Sequence, residues 1–193
     1  RDNVVGSNIM NIFLILGITS LVAPLPVDRG TAKVDMPFTF LITLLLIPMG
    51  LMGASVNRWE GVILLTIFAF YMLYLFRQAM KDRDQEGESR PTYGQGNAWT
   101  ILWTICGLVM IVAGSRLTVY AASEMATDLG VSQRMIALTI VAFGTSLPEL
   151  VTSVMAARKG NTGIAIGNII GSNIFNILFV TGLTAVIIPI SFA

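Results

Sequence analysis

The segment VAFGTSLPELVTS, residues 141–153, holds the side chains of this sequence that are best suited to chemistry. Glu149 lies inside an otherwise apolar stretch, where an ionised carboxylate is costly and by default marks a functional site. Pro148 has no amide hydrogen, so the carbonyl oxygen of Gly144 loses its usual helical partner. The helix should therefore bend or open beside Glu149.

Several oxygen-bearing groups share one face of this segment, at spacings of three and four residues. They belong to Thr145, Ser146 and Glu149, and Ala142 lies on the same face. An all-oxygen set suits a hard cation such as Ca²⁺, whereas zinc prefers histidine or cysteine. The chain has no histidine, and its single cysteine, Cys106, lies in an apolar stretch and is expected to be buried. The alternative role for Glu149 is structural, as a protonated carboxyl bonded to a neighbouring helix.

A second polar stripe lies in GNIIGSNIFNIL, residues 167–178, and DNVVGSNIMNIF, residues 2–13, nearly repeats it. Four-residue spacing places each stripe on one helix face. The stripes are Asn168, Ser172 and Asn176 in one copy, and Asn3, Ser7 and Asn11 in the other. Close helix packing, with amides bonded across the interface, is the alternative to ion binding.

The elements that carry these stripes are predicted to cross a membrane. Hydrophobic residues make up 54% of the chain and charged residues 12%, and the mean hydropathy is +0.76. Apolar runs near the length of about 20 residues that a spanning helix needs recur along the sequence. The predicted spans are Asn3–Val22, Pro37–Val56, Gly61–Phe76, Ala98–Ser123, Met135–Ala157 and Gly163–Ile188.

An odd number of spans separates the equivalent points of the two copies, so the copies enter the membrane from opposite sides. Many transporters place their substrate site near the midplane, where such inverted repeats meet. The repeat therefore favours a transport site over simple helix packing.

Loop charges predict the orientation of the chain, because short loops rich in lysine and arginine stay in the cytoplasm. Such residues collect in the loops after the first, third and fifth spans. Residues 79–97 form a predicted cytoplasmic linker between three spans in residues 1–78 and three in residues 98–193. The basic residues are explained by orientation, so the expected surroundings are the lipid bilayer and the transported cations, with no nucleic acid.

GTSLPEL at residues 144–150, followed by GNIIGSNIFNI at residues 167–177, resembles the second alpha repeat of the cation/calcium antiporter superfamily, which includes the sodium/calcium exchangers. DNVVGSNIMNI at residues 2–12 resembles the latter half of the first alpha repeat. The resemblance implies an all-α integral membrane protein, multi-pass in the cell membrane, whose six spans here are part of an inverted-repeat fold of about ten helices. It implies these cation ligands: Glu149, Thr145, Ser146, the Ala142 carbonyl, Ser172, Asn176, Ser7 and Asn11.

By the same resemblance, the function is exchange of Ca²⁺ for Na⁺ by alternating access, without a cofactor. The alternative is H⁺-coupled exchange of Ca²⁺ or another divalent cation, since many sodium/calcium exchangers of the superfamily have aspartate where this chain has Asn176. The family's first GTSLPE-like segment does not occur in these residues, so a second glutamate from that segment is expected to be needed to complete the site.

Two other classes fit the residues less well. A cation channel needs a continuous pore rather than a site formed at helix breaks. An intramembrane hydrolase using Ser146 and Glu149 lacks a nearby histidine or lysine base. We therefore expect a transporter and not an enzyme.

Overall fold

The computed structural model describes residues 2–53, 55–85 and 98–191, so part of the predicted linker, residues 86–97, lies outside the described residues. Six helical segments are long and apolar enough to span a membrane: Val5–Val22, Thr31–Met49, Arg58–Lys81, Ala98–Asp128, Gln133–Arg158 and Thr162–Ile187. The prediction of six spans is confirmed.

Among the described residues, the spans contain ten α-helices and four short π-helical segments, three of which join two α-helices while the fourth leads into the third α-helix. The α-helices are α1 (Asp2–Ile9), α2 (Leu16–Val22), α3 (Met36–Gly53), α4 (Arg58–Gln85), α5 (Ala98–Asp128), α6 (Gln133–Ile136), α7 (Ala142–Thr145), α8 (Leu147–Arg158), α9 (Thr162–Ile174) and α10 (Thr181–Ile187). The π-helical segments are Met10–Ile15, Thr31–Asp35, Ala137–Val141 and Phe175–Val180.

The predicted bounds of the second span, Pro37–Val56, are wrong at both ends. Helical structure covers Thr31–Asp35 before α3, and α3 ends at Gly53. Ser55–Val56 instead forms a two-residue strand, β1, paired antiparallel with β2 at Ile190–Ser191. The predicted span included Val56 because the residue is apolar. In the structure Val56 is a fully buried strand residue, and hydropathy does not distinguish these two environments.

The helix of the fifth span is interrupted just before Pro148, as the sequence predicts. Helix α7 ends at Thr145, and α8 restarts at Leu147. Between them Ser146 has φ −95° and ψ 0°, in the bridge region of backbone space. The break leaves Glu149 in the first turn of α8, where the helix dipole favours a negative charge.

The two copies of the sequence repeat have the same local structure. In each copy an α-helix leads into a six-residue π-helical segment and then a seven-residue α-helix. The second copy follows the first by 165 positions throughout, so Met10–Ile15 corresponds to Phe175–Val180, and α2 corresponds to α10. Both copies end in an extended residue, Ala23 or Ile188, just before a proline.

The main core forms where α4 crosses the sixth span. A Cβ added at Gly61 would lie 2.7 Å from the carbonyl oxygen of Gly182, so the two backbones touch. Small residues allow this close crossing of membrane helices. Fully buried apolar side chains surround it, among them Leu64, Ile174, Leu178 and Ala185.

Apolar side chains also cover much of the exterior, as expected for a surface that faces lipid. Trp59, Trp99 and Trp103 are all exposed within this chain. Cys106 is exposed as well, so the expectation that it is buried is wrong. Its helix, α5, is apolar on nearly all sides, and sequence alone did not reveal which face packs.

Candidate functional site

A cavity of about 380 Å³ lies beside the break in the fifth span. It is lined by Glu149, Asn168, Gly171, Ser172, Phe175 and Asn176. The lining contains three of the eight predicted ligands, namely Glu149, Ser172 and Asn176. They meet because α8 and α9 pack antiparallel, joined by a short turn in which Gly160 adopts a φ of +78°. A side chain other than glycine would be strained there.

Asn168 is a residue of the cavity that the predicted ligand set omitted. Its Nδ2 atom lies 3.2 Å from the Glu149 carbonyl oxygen, 2.9 Å from Thr152 Oγ1 and 2.9 Å from Ser153 Oγ. These bonds fix α9 against α8 next to the carboxylate. The Nδ2 group of Asn168 donates its hydrogens to α8. The Oδ1 atom is therefore the part of the side chain that remains to act as a ligand. Its place in the four-residue stripe was the sequence signal for this role.

Ser7, Thr145 and Ala142 meet on the first and fifth spans. Ser7 Oγ lies 3.3 Å from Thr145 Oγ1, and the Thr145 hydroxyl also donates to the Ala142 carbonyl oxygen at 2.9 Å. A Cβ added at Gly6 would lie 3.4 Å from the Ala142 Cβ, so Gly6 lets the spans approach. Three further predicted ligands are thus brought together.

Two asparagine pairs join the repeat copies across the middle of the molecule. Asn11 Nδ2 donates to Asn173 Oδ1 at 3.2 Å, and Asn176 Nδ2 donates to Asn8 Oδ1 at 3.2 Å. Asn173 and Asn176 are the repeat equivalents of Asn8 and Asn11, 165 positions later, so the two pairs are equivalent under the repeat. Residue numbers rise on one span as they fall on the other, so the two copies run antiparallel. The inverted repeat inferred from sequence is therefore present in the structure.

Two predicted ligands have buried oxygen atoms without a hydrogen-bond partner among the described residues. These atoms are Asn11 Oδ1 and Ser146 Oγ, on side chains that are 1% and 3% exposed. Buried polar atoms are normally paired, because an unpaired one loses its hydration without compensation. Among the described residues, two of the three such atoms thus belong to the predicted ligand set, and the third is Ser123 Oγ.

The chemistry of the site is that of neutral oxygens around one carboxylate. Within the described ranges, no group of three or more histidine, cysteine, aspartate and glutamate side chains is placed to hold a metal ion. Weak, oxygen-rich coordination suits an ion that must bind and then leave.

Comparison with known proteins places these features in a family. The family model described as sodium/calcium exchanger protein matches residues 1–77 and 99–193. A putative antiporter, CaxA, from Alkalimonas amylolytica is 40% identical over 194 residues, which cover 97% of this chain and 60% of that protein. The inner membrane protein YrbG from Escherichia coli strain K12 is 35% identical over 192 residues, 95% of this chain and 58% of that protein.

A solved structure of the sodium-calcium exchanger NCX_Mj superposes with a TM-score of 0.78 at 29% identity, over 99% of this chain and 60% of that one. The chain thus spans about 60% of the length of these relatives. The matched family model covers both repeat copies and the GTSLPEL segment. This multi-pass helical membrane chain belongs to the sodium/calcium exchanger protein family.

Proposed function

We propose that the full-length protein exchanges Ca²⁺ for Na⁺ by alternating access around the Glu149 cavity. The observation that carries this proposal is the position of that carboxylate, at a helix break and among the amide and hydroxyl oxygens of α9. The proposed ligands are Glu149, Ser146, Thr145, the Ala142 carbonyl, Ser172, Asn176, Ser7 and Asn11, together with Asn168. Ca²⁺ requires about six to eight oxygens, which such a set can supply as it closes.

The repeat symmetry supports a site completed by a further helix. Gly6 packs against Ala142, and Ser7 bonds to Thr145. Their repeat equivalents are Gly171, which has no atom within 4 Å of an added Cβ, and Ser172, which lines the cavity. A segment of the full-length protein equivalent to α7 and α8 fits against them. It would bring the second carboxylate needed to balance the two charges of Ca²⁺ in a region where unpaired charge is costly.

The identity of the ion exchanged for Ca²⁺, Na⁺ or H⁺, is a separate part of the proposal. Na⁺ is favoured by the family, whereas the neutral amide of Asn176 gives the site one fewer carboxylate than an aspartate there would. Exchange for H⁺ is therefore the second candidate. Both differ from a channel in needing a counter-ion on the opposite side of the membrane.

The decisive experiment is Ca²⁺ uptake by the full-length protein in liposomes, under imposed Na⁺ gradients and then under imposed pH gradients. Glu149→Gln keeps the size of the side chain but removes its charge and one acceptor oxygen. We expect normal membrane insertion and loss of nearly all exchange. A glutamate that only packs in its neutral form would tolerate this change.

The matched control is Glu124→Gln in α5, at an exposed position near the end of that span. Exchange should be nearly unchanged in this variant. Near wild-type exchange by an inserted Glu149→Gln protein would refute the proposed site. Ca²⁺ flux that needs no counter-ion would refute the exchange mechanism and point to a channel.

A further inference from the structure

The two inter-repeat asparagine pairs are asymmetric in a way that bears on ion binding. In each pair the donor is a proposed ligand, Asn11 or Asn176, and the acceptor, Asn173 or Asn8, lies outside the proposed ligand set. Each acceptor lies three residues before the donor of its own span. Each of the two spans therefore supplies one donor, which is a proposed ligand, and one acceptor, which is not.

The direction of these bonds decides which atom of the ligand amide is left over. Asn11 uses its Nδ2 atom on Asn173, and its Oδ1 atom remains buried without a partner in the part of the chain that the structure describes. An amide oxygen can bind a cation, whereas an amide NH₂ group would repel it. Holding the NH₂ group elsewhere thus presents the oxygen.

The surroundings make this orientation specific. Asn11 and Asn173 are 1% and 2% exposed, so neither amide can turn toward water. Each donor also lies in a π-helical segment, Met10–Ile15 or Phe175–Val180, while each acceptor lies in the α-helix before it. A π-helical turn inside an α-helix is commonly found at functional sites.

We propose that Asn8 and Asn173 are positioning residues that orient the amides of Asn176 and Asn11 toward the transported cation. This inference rests on the proposed function. It also predicts how the pair would respond to an aspartate at position 176. The amide of Asn8 can turn over and donate its own NH₂ group to an aspartate at position 176, so the pair survives the substitution with one more charge in the site.

The first test is removal of the acceptor in the full-length protein. Asn8→Ala and Asn173→Ala should each raise the Ca²⁺ concentration for half-maximal exchange by about 10-fold or more, the usual loss when a partner that orients a metal ligand is removed. The maximal rate should fall less than the affinity. Asn8→Asp and Asn173→Asp keep an acceptor oxygen and should retain most of the affinity.

The second test compares two double variants with the same added charge. Asn8→Asp with Asn176→Asp places two carboxylates face to face, whereas Asn8→Asp with Asn173→Asp leaves each carboxylate opposite an amide and changes neither proposed ligand. We expect the first combination to lose exchange and the second to keep it, with wild-type insertion of both. Thermal unfolding in detergent shows whether a variant has failed to fold.

Equal behaviour of the two double variants would overturn the proposal, and so would unchanged Ca²⁺ affinity in both alanine variants. A drop in melting temperature without a change in affinity would assign the pairs to packing alone. These outcomes are separate from a failure of the Glu149 test, because the asparagine variants keep Glu149 and are scored by their Ca²⁺ affinity, whereas that test scores the exchange that remains without the Glu149 charge.

Discussion

At the scale of single residues, the site combines paired and unpaired oxygens. Ser153 Oγ accepts a bond from Asn168, whereas Ser146 Oγ, seven residues earlier, has no partner among the described residues. Both serines are buried. A buried hydroxyl without a partner costs free energy in the folded state. The unpaired hydroxyl of Ser146 therefore lowers the stability of the folded protein, a cost that we propose is offset when Ser146 binds the cation.

Ser146→Ala provides a prediction that separates binding from stability. Removing an unpaired buried hydroxyl should leave the ion-free protein as stable as wild type or more stable, by up to about 1 kcal/mol. The rise in melting temperature on adding Ca²⁺ should shrink, because one ligand is lost. Thermal unfolding of the full-length protein with and without Ca²⁺ measures both effects.

Ser153→Ala is the matched control, since its hydroxyl is paired. It should destabilise the protein by about 1 kcal/mol, the usual worth of a buried hydrogen bond. The Ca²⁺ response should shrink less than in Ser146→Ala, because Asn168 keeps its bonds to Thr152 and to the Glu149 carbonyl. If Ser146→Ala instead destabilises and responds fully to Ca²⁺, Ser146 is a packing residue.

At the scale of secondary-structure elements, the break between α7 and α8 depends on support from α5. A Cβ added at Gly144 would overlap the Val119 side chain of α5. Gly144 therefore allows α5 to lie directly against the short helix that carries Thr145. A valine is stiff about χ1 and cannot easily move aside.

Gly144→Ala should destabilise the full-length protein by about 1 to 3 kcal/mol through overpacking. Val119→Ala removes the overlapping methyl groups and should recover much of this loss in the double variant. The measurement is a double-mutant cycle in melting temperature. Independent, additive effects of the two changes would show that α5 does not support the break.

The sequence predicted part of this arrangement. The apolar runs, the repeat and Pro148 were enough for six spans, their inversion and the break beside Glu149. Amide bonds across the interface were predicted as the alternative to ion binding, and the structure contains such bonds. The partners in these bonds and the place of Asn168 in the cavity were not predicted, because stripe spacing shows which residues share a face but not which partner faces them across an antiparallel crossing. The strand at Ser55–Val56 was missed because hydropathy does not report backbone pairing.

At the scale of the whole molecule, the two repeat copies differ in how far other helices of this chain bury their apolar side chains. In the sixth span Ile174 and Leu178 are 1% and 0% exposed, because α4 packs there. Their repeat equivalents in the first span, Ile9 and Phe13, are 51% and 76% exposed. The same symmetry predicts that a helix equivalent to α4, from a part of the full-length protein outside these residues, covers the first span.

Gly17 tests that prediction, because it is the repeat equivalent of Gly182. A Cβ at Gly182 meets the Gly61 carbonyl oxygen at 3.1 Å, whereas a Cβ at Gly17 has nothing within 4 Å in this chain. If a helix crosses there in the full-length protein, Gly17→Leu should lower its stability by about 1 to 3 kcal/mol, as expected for an overfilled helix contact.

Gly107→Leu in α5 is the control, since Gly107 also has open surroundings but no equivalent in the repeat copies. Thermal unfolding of the two variants in detergent gives the comparison. Equal, negligible effects would mean that lipid covers the first span, and that the packing of α4 on α10 has no counterpart in the other half of the protein.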